Sequence, residues 1–344
     1  MTERNTYIDI SKGIAIYAVV IGHVIAWFFK DFNAANLPYE VSVLWKTIYS
    51  FHMPFFIFLS GYVFMNPAKK YSTKYMFKRI VSYLIPFVTM GFLLYYWRGG
   101  RIDNYWYFRT LAEFSLTMYL LVFIISKISN RYFPIISFLL FVCFIKLCQK
   151  IISENGILAD VLGTSHLQLS IYFGLGYLFR IYKSHVEKLL INQYVMFMSM
   201  LFTFFCIVTG FDQQPIIKAT VMIVFFINLS HVLANLFTCK HLNNVGQHTL
   251  GVYIIHFFFT FKIYDIGNWI FNISLQGGVT SSLIIQMCIA LPISMFIVKV
   301  SILIEKILRE IPFFSFILLG NLNFISINTH NYRTLIVKKI WRKK

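Results

Sequence analysis

The chain has 344 residues, 58% of them hydrophobic and 13% charged, with a mean hydropathy of +0.69. That is far from the balance of a soluble globular domain, which it excludes as the main body of the protein. A net charge of +18 raises the question of nucleic acid. The basic residues, however, sit in short clusters between apolar runs. Such clusters fit cytoplasmic loops and attraction to anionic lipid, so a membrane-lipid partner and no nucleic acid are expected.

The first apolar run, 7–29, reads YIDISKGIAIYAVVIGHVIAWFF and is long enough to cross a bilayer. It carries Asp9, Lys12 and His23, residues that are costly in hydrocarbon and mark function by default. Lys12 and His23 are eleven positions apart, close to three helical turns, so they share one face at a separation of roughly 16 Å. Asp9 and Lys12 are three apart and can pair. No small-residue cleavage site follows, so a retained signal-anchor is expected.

Apolar runs of about spanning length follow near 48–66, 80–97, 106–126, 132–149, 167–182, 193–210, 216–237, 249–271 and 279–304. With the first they predict an all-α polytopic membrane protein, a bundle of about ten transmembrane helices. Alternate links are rich in basic residues: Lys69, Lys70, Lys74, Lys78 and Arg79 in one, then Lys127 and Arg131, then Arg180, Lys183 and Lys188, then Lys240. The tail adds Arg333, Lys338, Lys339, Arg342, Lys343 and Lys344. Both termini are therefore predicted to be cytoplasmic, in a multi-pass protein of the cell (inner or cytoplasmic) membrane. Residues 1–304 form the transmembrane domain. The remainder, 305–344, is read as an interfacial segment, too short to span at IPFFSFILLGNLNF, and a polybasic cytoplasmic tail.

Within the second run, SFHMPFFIFLSGYVF places Pro54 near the predicted helix start and His52 at its outer entrance, in the same half of the membrane as His23. Lys78 and Arg79 stand at the base of the third run. They either anchor the helix or, with Lys12, clamp the phosphates of a nucleotide-bearing donor. Trp106 and neighbouring tyrosines can stack on a sugar or belong to an interfacial aromatic belt. His256 is an imidazole in the apolar run HTLGVYIIHFFF, with Tyr253 one turn before it and His248 eight positions away. Too few carboxylates and imidazoles surround it for a metal site, and no metal is expected. The five cysteines form no CxxC pair and are read as reduced packing residues. Walker and Rossmann loops are absent.

Lys12 and His23, in IDISKGIAIYAVVIGH, resemble the opening helix of the acyltransferase 3 family of integral-membrane O-acyltransferases, in which a basic residue, ten residues and a histidine follow in order. Further matches run along the chain: FHMPFFIFLSGY, FKRIVSYLIPF, IYFGLGYLF at 171–179, LGVYIIH at 250–256 and IPFFSFILLG at 311–320. IDISKGIAIYAVVIGH resembles the branch that includes sugar O-acetylases. Two departures stand out. Lys12 replaces the arginine of many members, and LTMYLLVFII replaces a tryptophan–phenylalanine pair in the fourth span.

The resemblance implies transfer of an acyl group, most simply acetyl, from cytoplasmic acyl-CoA such as acetyl-CoA to a hydroxyl of a cell-surface or lipid-linked glycan. A hydroxyl needs a base at neutral pH, and imidazole suits that role. His23 is thereby cast as general base or as acyl carrier, and His52 as the residue that orients His23 or the acceptor hydroxyl. Asp9 holds Lys12, and Lys12 with Lys78 and Arg79 receives the CoA phosphates. The competing class is a glycan exporter without acyl chemistry, its charges lining a path.

Overall fold

The computed structural model describes residues 5–29, 36–64, 72–99, 102–126, 132–155, 165–236 and 239–322. Lys69, Lys70, Lys127, Arg131 and the basic tail from Arg333 lie outside the described residues. Among those described the chain is helical throughout, without a strand. An apolar segment in hydrocarbon must satisfy its own backbone, and a helix does so within one segment.

The helices are α1 (Thr6–Ala26), α2 (Tyr39–Phe64), α3 (Thr73–Arg98), α4 (Trp106–Ile125), α5 (Phe133–Glu154), α6 (Ser170–Ile181), α7 (Lys183–Leu190), α8 (Gln193–Thr209), α9 (Pro215–Leu236), α10 (Lys240–Gln247), α11 (Thr249–Ile255), α12 (Tyr264–Glu310) and α13 (Pro312–Leu319). Seven described helices are long and apolar enough to cross a membrane: α1 to α5, α9 and α12. The run 249–271 is not one span. Helix α11 tightens into a 3-10 turn at His256–Phe258, and α12 begins only at Tyr264. Helix α12 is itself broken at Gly278, whose φ of 68° suits glycine.

Helices α1 and α2 form the centre. Their apolar windows are 83% and 72% buried, against 22% for α3 and 17% for α5. Helix α1 packs on α2, α9, α10 and α12; α2 packs on α6, α9 and α12. The peripheral helices turn Phe92, Trp97, Leu139, Phe144, Phe204 and Phe296 outward, as lipid-facing surfaces require.

Close backbone approach holds this centre together. A Cβ on Gly61 of α2 would lie 2.0 Å from the Phe173 carbonyl oxygen, and one on Gly176 of α6 would lie 1.9 Å from that of Phe58. Small residues that let helices approach are the main packing device where the solvent is itself apolar. Helix α12 is tied to the start of α2 by Gln286, whose Nε2 donates to the Val41 carbonyl at 2.7 Å, and by Ser282, which donates to that of Glu40.

One expectation is corrected. Helix α2 begins at Tyr39, so Pro54 lies inside it and His52 is mid-helix, 4% exposed, instead of at an entrance. The turns before Pro54, VSVLWKTIYSF, are helical because packing on α1, α9 and α12 continues past the proline.

The short α13 docks on α3, where Thr89 Oγ1 donates to the Ile317 carbonyl at 2.7 Å. Beside it α12 runs unbroken past position 304 and buries Glu305 completely.

Candidate active site

Three imidazoles from separate elements meet at the C-terminal end of α1. His23 lies in the last turn of α1, half-buried, and among the described residues neither ring nitrogen has a hydrogen-bond partner. Its ring centre is 5.3 Å from that of His256, 4.7 Å from Phe257 and 6.5 Å from Tyr49. His52 lies 4.7 Å from the Tyr49 ring, within electrostatic reach of His23. Trp45 stacks on Tyr49 at 4.1 Å and completes an aromatic wall.

Two of the imidazoles have their tautomer set by the helix that carries them. His52 Nδ1 faces the Ile48 carbonyl at 2.8 Å, and His256 Nδ1 faces that of Val252 at 3.0 Å. A carbonyl only accepts, so Nδ1 is the donor and in the neutral ring Nε2 keeps its lone pair. His256 is wholly buried, and among the described residues its Nε2 has no hydrogen-bond partner. Its place follows from the end of α11: the chain leaves helical geometry there, and the Ile263 amide then bonds the Trp27 carbonyl at 3.3 Å, tying this turn to the end of α1.

The opposite end of α1 carries charge. Lys12 Nζ lies 3.2 Å from Asp9 Oδ1, with Asp9 buried and the Lys12 side chain 24% exposed. Here α10 crosses α1 closely: a Cβ on Gly246 would lie 1.7 Å from the Asp9 carbonyl oxygen, and one on Gly13 would lie 2.4 Å from that of Leu242. Tyr17 bonds His241 Nε2 at 2.7 Å, and Tyr7 donates to Glu187. A cleft of about 300 Å³ opens beside Thr6, between Asn235, Cys239, Lys240 and Asn243.

Asp9 and His23 are separated by about 21 Å of helix, so Asp9 acts on Lys12 and not on the imidazoles. Arg79 is occupied. Its Nη1 donates to the Val63 and Phe64 carbonyls, both at 2.9 Å, and its Nε to Tyr83 Oη at 2.9 Å, which caps the C-terminus of α2. Lys78 is exposed, and no described contact joins it or Arg79 to Lys12. Trp106 begins α4 half-buried, its ring 6.2 Å from His166, which in turn bonds Glu113 at 3.2 Å.

A family model described as an acyltransferase domain matches residues 5–300. The chain belongs to the acyltransferase 3 family. The nodulation protein NolL of Mesorhizobium japonicum is 33% identical over 85 residues, 24% of this chain and 22% of that protein's own length. The chain thus spans about a fifth of the curated relative it matches. No solved structure matches it.

In this acyltransferase 3 chain, the spacing of Lys12 and His23 places a charge and an accessible imidazole at the two ends of the most buried helix. Sequence reasoning assigned no role to His256. An imidazole in an apolar run was the available signal, but its neighbour across the bundle was not. Sequence reasoning also passed over Glu305, which His248 Nδ1 bonds at 2.9 Å and Arg309 Nε at 2.8 Å. His248 and His256 do not act together, since they stand at opposite ends of α11.

Proposed function

We propose that the protein is a membrane O-acyltransferase that moves an acyl group, acetyl in the simplest case, from cytoplasmic acyl-CoA to a hydroxyl of a cell-surface or lipid-linked glycan. Membership of the acyltransferase 3 family supports the reaction class. The observation that carries the reading is His23 itself, a partly buried imidazole without a hydrogen-bond partner among the described residues, walled by aromatic rings. A side chain so placed is free to meet a substrate.

The chemistry is an exchange of esters. The glycan oxygen attacks the thioester carbonyl while His23 takes the hydroxyl proton. The carbon–sulfur bond breaks, and the thiolate leaves with that proton. In the alternative order His23 attacks first and carries the acyl group before the hydroxyl removes it. In both, Lys12, held by Asp9, receives phosphate oxygens of the donor at the cytoplasmic mouth, and Lys78, exposed and apart from Lys12, adds only positive charge to that face. Arg79 first serves α2 and offers phosphate only what its capping bonds leave over. His52 and Tyr49 stand on the acceptor side, beside His23.

Mass spectrometry of surface glycans tests this in cells with the intact gene, a deletion and His23→Ala. An O-acyl mass increment seen only with the intact protein is expected. Unchanged glycan mass in the deletion strain, with precursor retained inside the cell, would point to an exporter instead.

A further inference from the structure

We propose that His256 is the positioning residue of the transfer, accepting at Nε2 a proton from the far ring nitrogen of His23. The proposal rests on the acyl-transfer reading above and extends it to a residue on the other side of the bundle.

Geometry supports the pairing. An N–H···N contact of about 2.9 Å between two imidazoles, each nitrogen roughly 1.2 Å from its ring centre, separates the centres by roughly 5.3 Å. The His23 and His256 centres are 5.3 Å apart. Closing the bond therefore requires rotation of the His23 ring, which no hydrogen bond among the described residues restrains, and no backbone movement. Catalytic hydrogen bonds commonly tighten only when substrate binds.

His256 is built to accept. The Val252 carbonyl holds Nδ1 as donor, which leaves the Nε2 lone pair, and that atom is buried without a partner among the described residues. A buried polar atom left unpaired is destabilising and calls for a reason. Packing alone supplies none, because Phe257 and Tyr253 show that aromatic rings fill this layer without an orphaned nitrogen. His52 has the same tautomer, but among the described residues no ring contact joins it to His23, so it does not share this role.

The proton balance closes in either order of reaction. In direct transfer, the nitrogen of His23 turned away from His256 takes the hydroxyl proton, while the other nitrogen passes its own to His256 Nε2. The carbon–oxygen bond forms, the carbon–sulfur bond breaks, and one proton returns through His23 to sulfur. In the covalent order, the His23–acyl bond forms as the carbon–sulfur bond breaks and thiolate leaves, while His256 takes the far proton and leaves a neutral acyl-imidazole. The glycan oxygen then displaces His23, whose far nitrogen recovers its proton from His256, and the hydroxyl proton balances the thiolate.

The test uses membranes from cells making the full-length protein, which contain the native acceptor, with radiolabelled acetyl-CoA and label counted in the glycan fraction. For His256→Ala, kcat is expected to fall about 100-fold with KM for acetyl-CoA unchanged. Added imidazole is expected to restore at least about tenfold of that loss, filling the vacated space with the missing base, and to restore nothing when His23→Ala is also present. Near-normal kcat, or a folded His256→Ala protein that imidazole does not rescue, overturns the proposal. Should His256→Ala fail to insert, His256→Gln keeps an N–H toward Val252, and full activity there overturns it equally. Wild-type membranes that incorporate no label would overturn acyl transfer itself, whereas an active His256→Ala protein beside an inactive His23→Ala protein removes only the role of His256.

Discussion

The ring centres of His23 and His256 lie 5.3 Å apart, one in the last turn of the first helix and the other in the turn that ends α11. The contact exists because α1 is the axis on which the later helices pack, and α10 and α11 reach it from the far end of the chain. The same packing produces the charged end of the site, where α10 crosses above Asp9 and Lys12.

That crossing leaves no room for a side chain. Gly246→Ala is expected to destabilise the protein by about 1–3 kcal/mol, because the new Cβ would lie 1.7 Å from the Asp9 carbonyl oxygen and the helices must part. Gly13→Ala acts in the same direction, meeting the Leu242 carbonyl at 2.4 Å. The midpoint of thermal aggregation in detergent measures both, and unchanged midpoints would contradict the packing described.

Arg79 and Lys78 are neighbours in sequence with different roles. Arg79→Lys keeps the charge but loses the planar group that bonds Tyr83 through Nε while its Nη1 serves the Val63 and Phe64 carbonyls, and a loss of about 1.5–3 kcal/mol is expected. Lys78→Ala, at an exposed position, is expected to stay within about 0.5 kcal/mol. The same detergent melting series separates them.

If Lys12 meets the donor, its removal acts on binding. Lys12→Ala is expected to raise KM for acetyl-CoA about tenfold, the equivalent of roughly 1.4 kcal/mol, with kcat little changed. Lys12→Arg supplies the bidentate fork that many family members carry and is expected to lower KM or leave it as it is. Initial rates of label incorporation over a range of acetyl-CoA concentrations decide this.

Glu305 is fully buried and takes hydrogen bonds from Arg309 at 2.8 and 2.5 Å and from His248 at 2.9 Å. Glu305→Gln removes the charge that both partners face. Arg309 is half-exposed and can turn to solvent, so the expected cost is about 1–3 kcal/mol, less than for a pair buried on both sides. Gly251→Ala, whose Cβ would lie 2.1 Å from Glu305 Cδ, should give a similar loss of thermal midpoint.

By itself the sequence determined the class of the molecule and the stripe on its first helix. Long apolar runs with few charges leave a helical membrane protein as the solution, because backbone groups in lipid must be satisfied within the segment. The Asp9, Lys12 and His23 stripe was legible because helical period alone places residues three and eleven positions apart on one face. Even the pairing of Lys12 with Asp9 is local, and it stands at 3.2 Å.

Only the tertiary structure decided which groups face that stripe. Nothing near Arg79 in the chain tells that its fork ends on the carbonyls of α2, and Pro54 read as a helix start because the packing that extends α2 back to Tyr39 is non-local. The pairing of His256 with His23 depends on where α11 stops and on how α1 is surrounded. Spacing along a helix specifies its own faces; contact between helices depends on the shapes of both, which one segment of sequence does not contain.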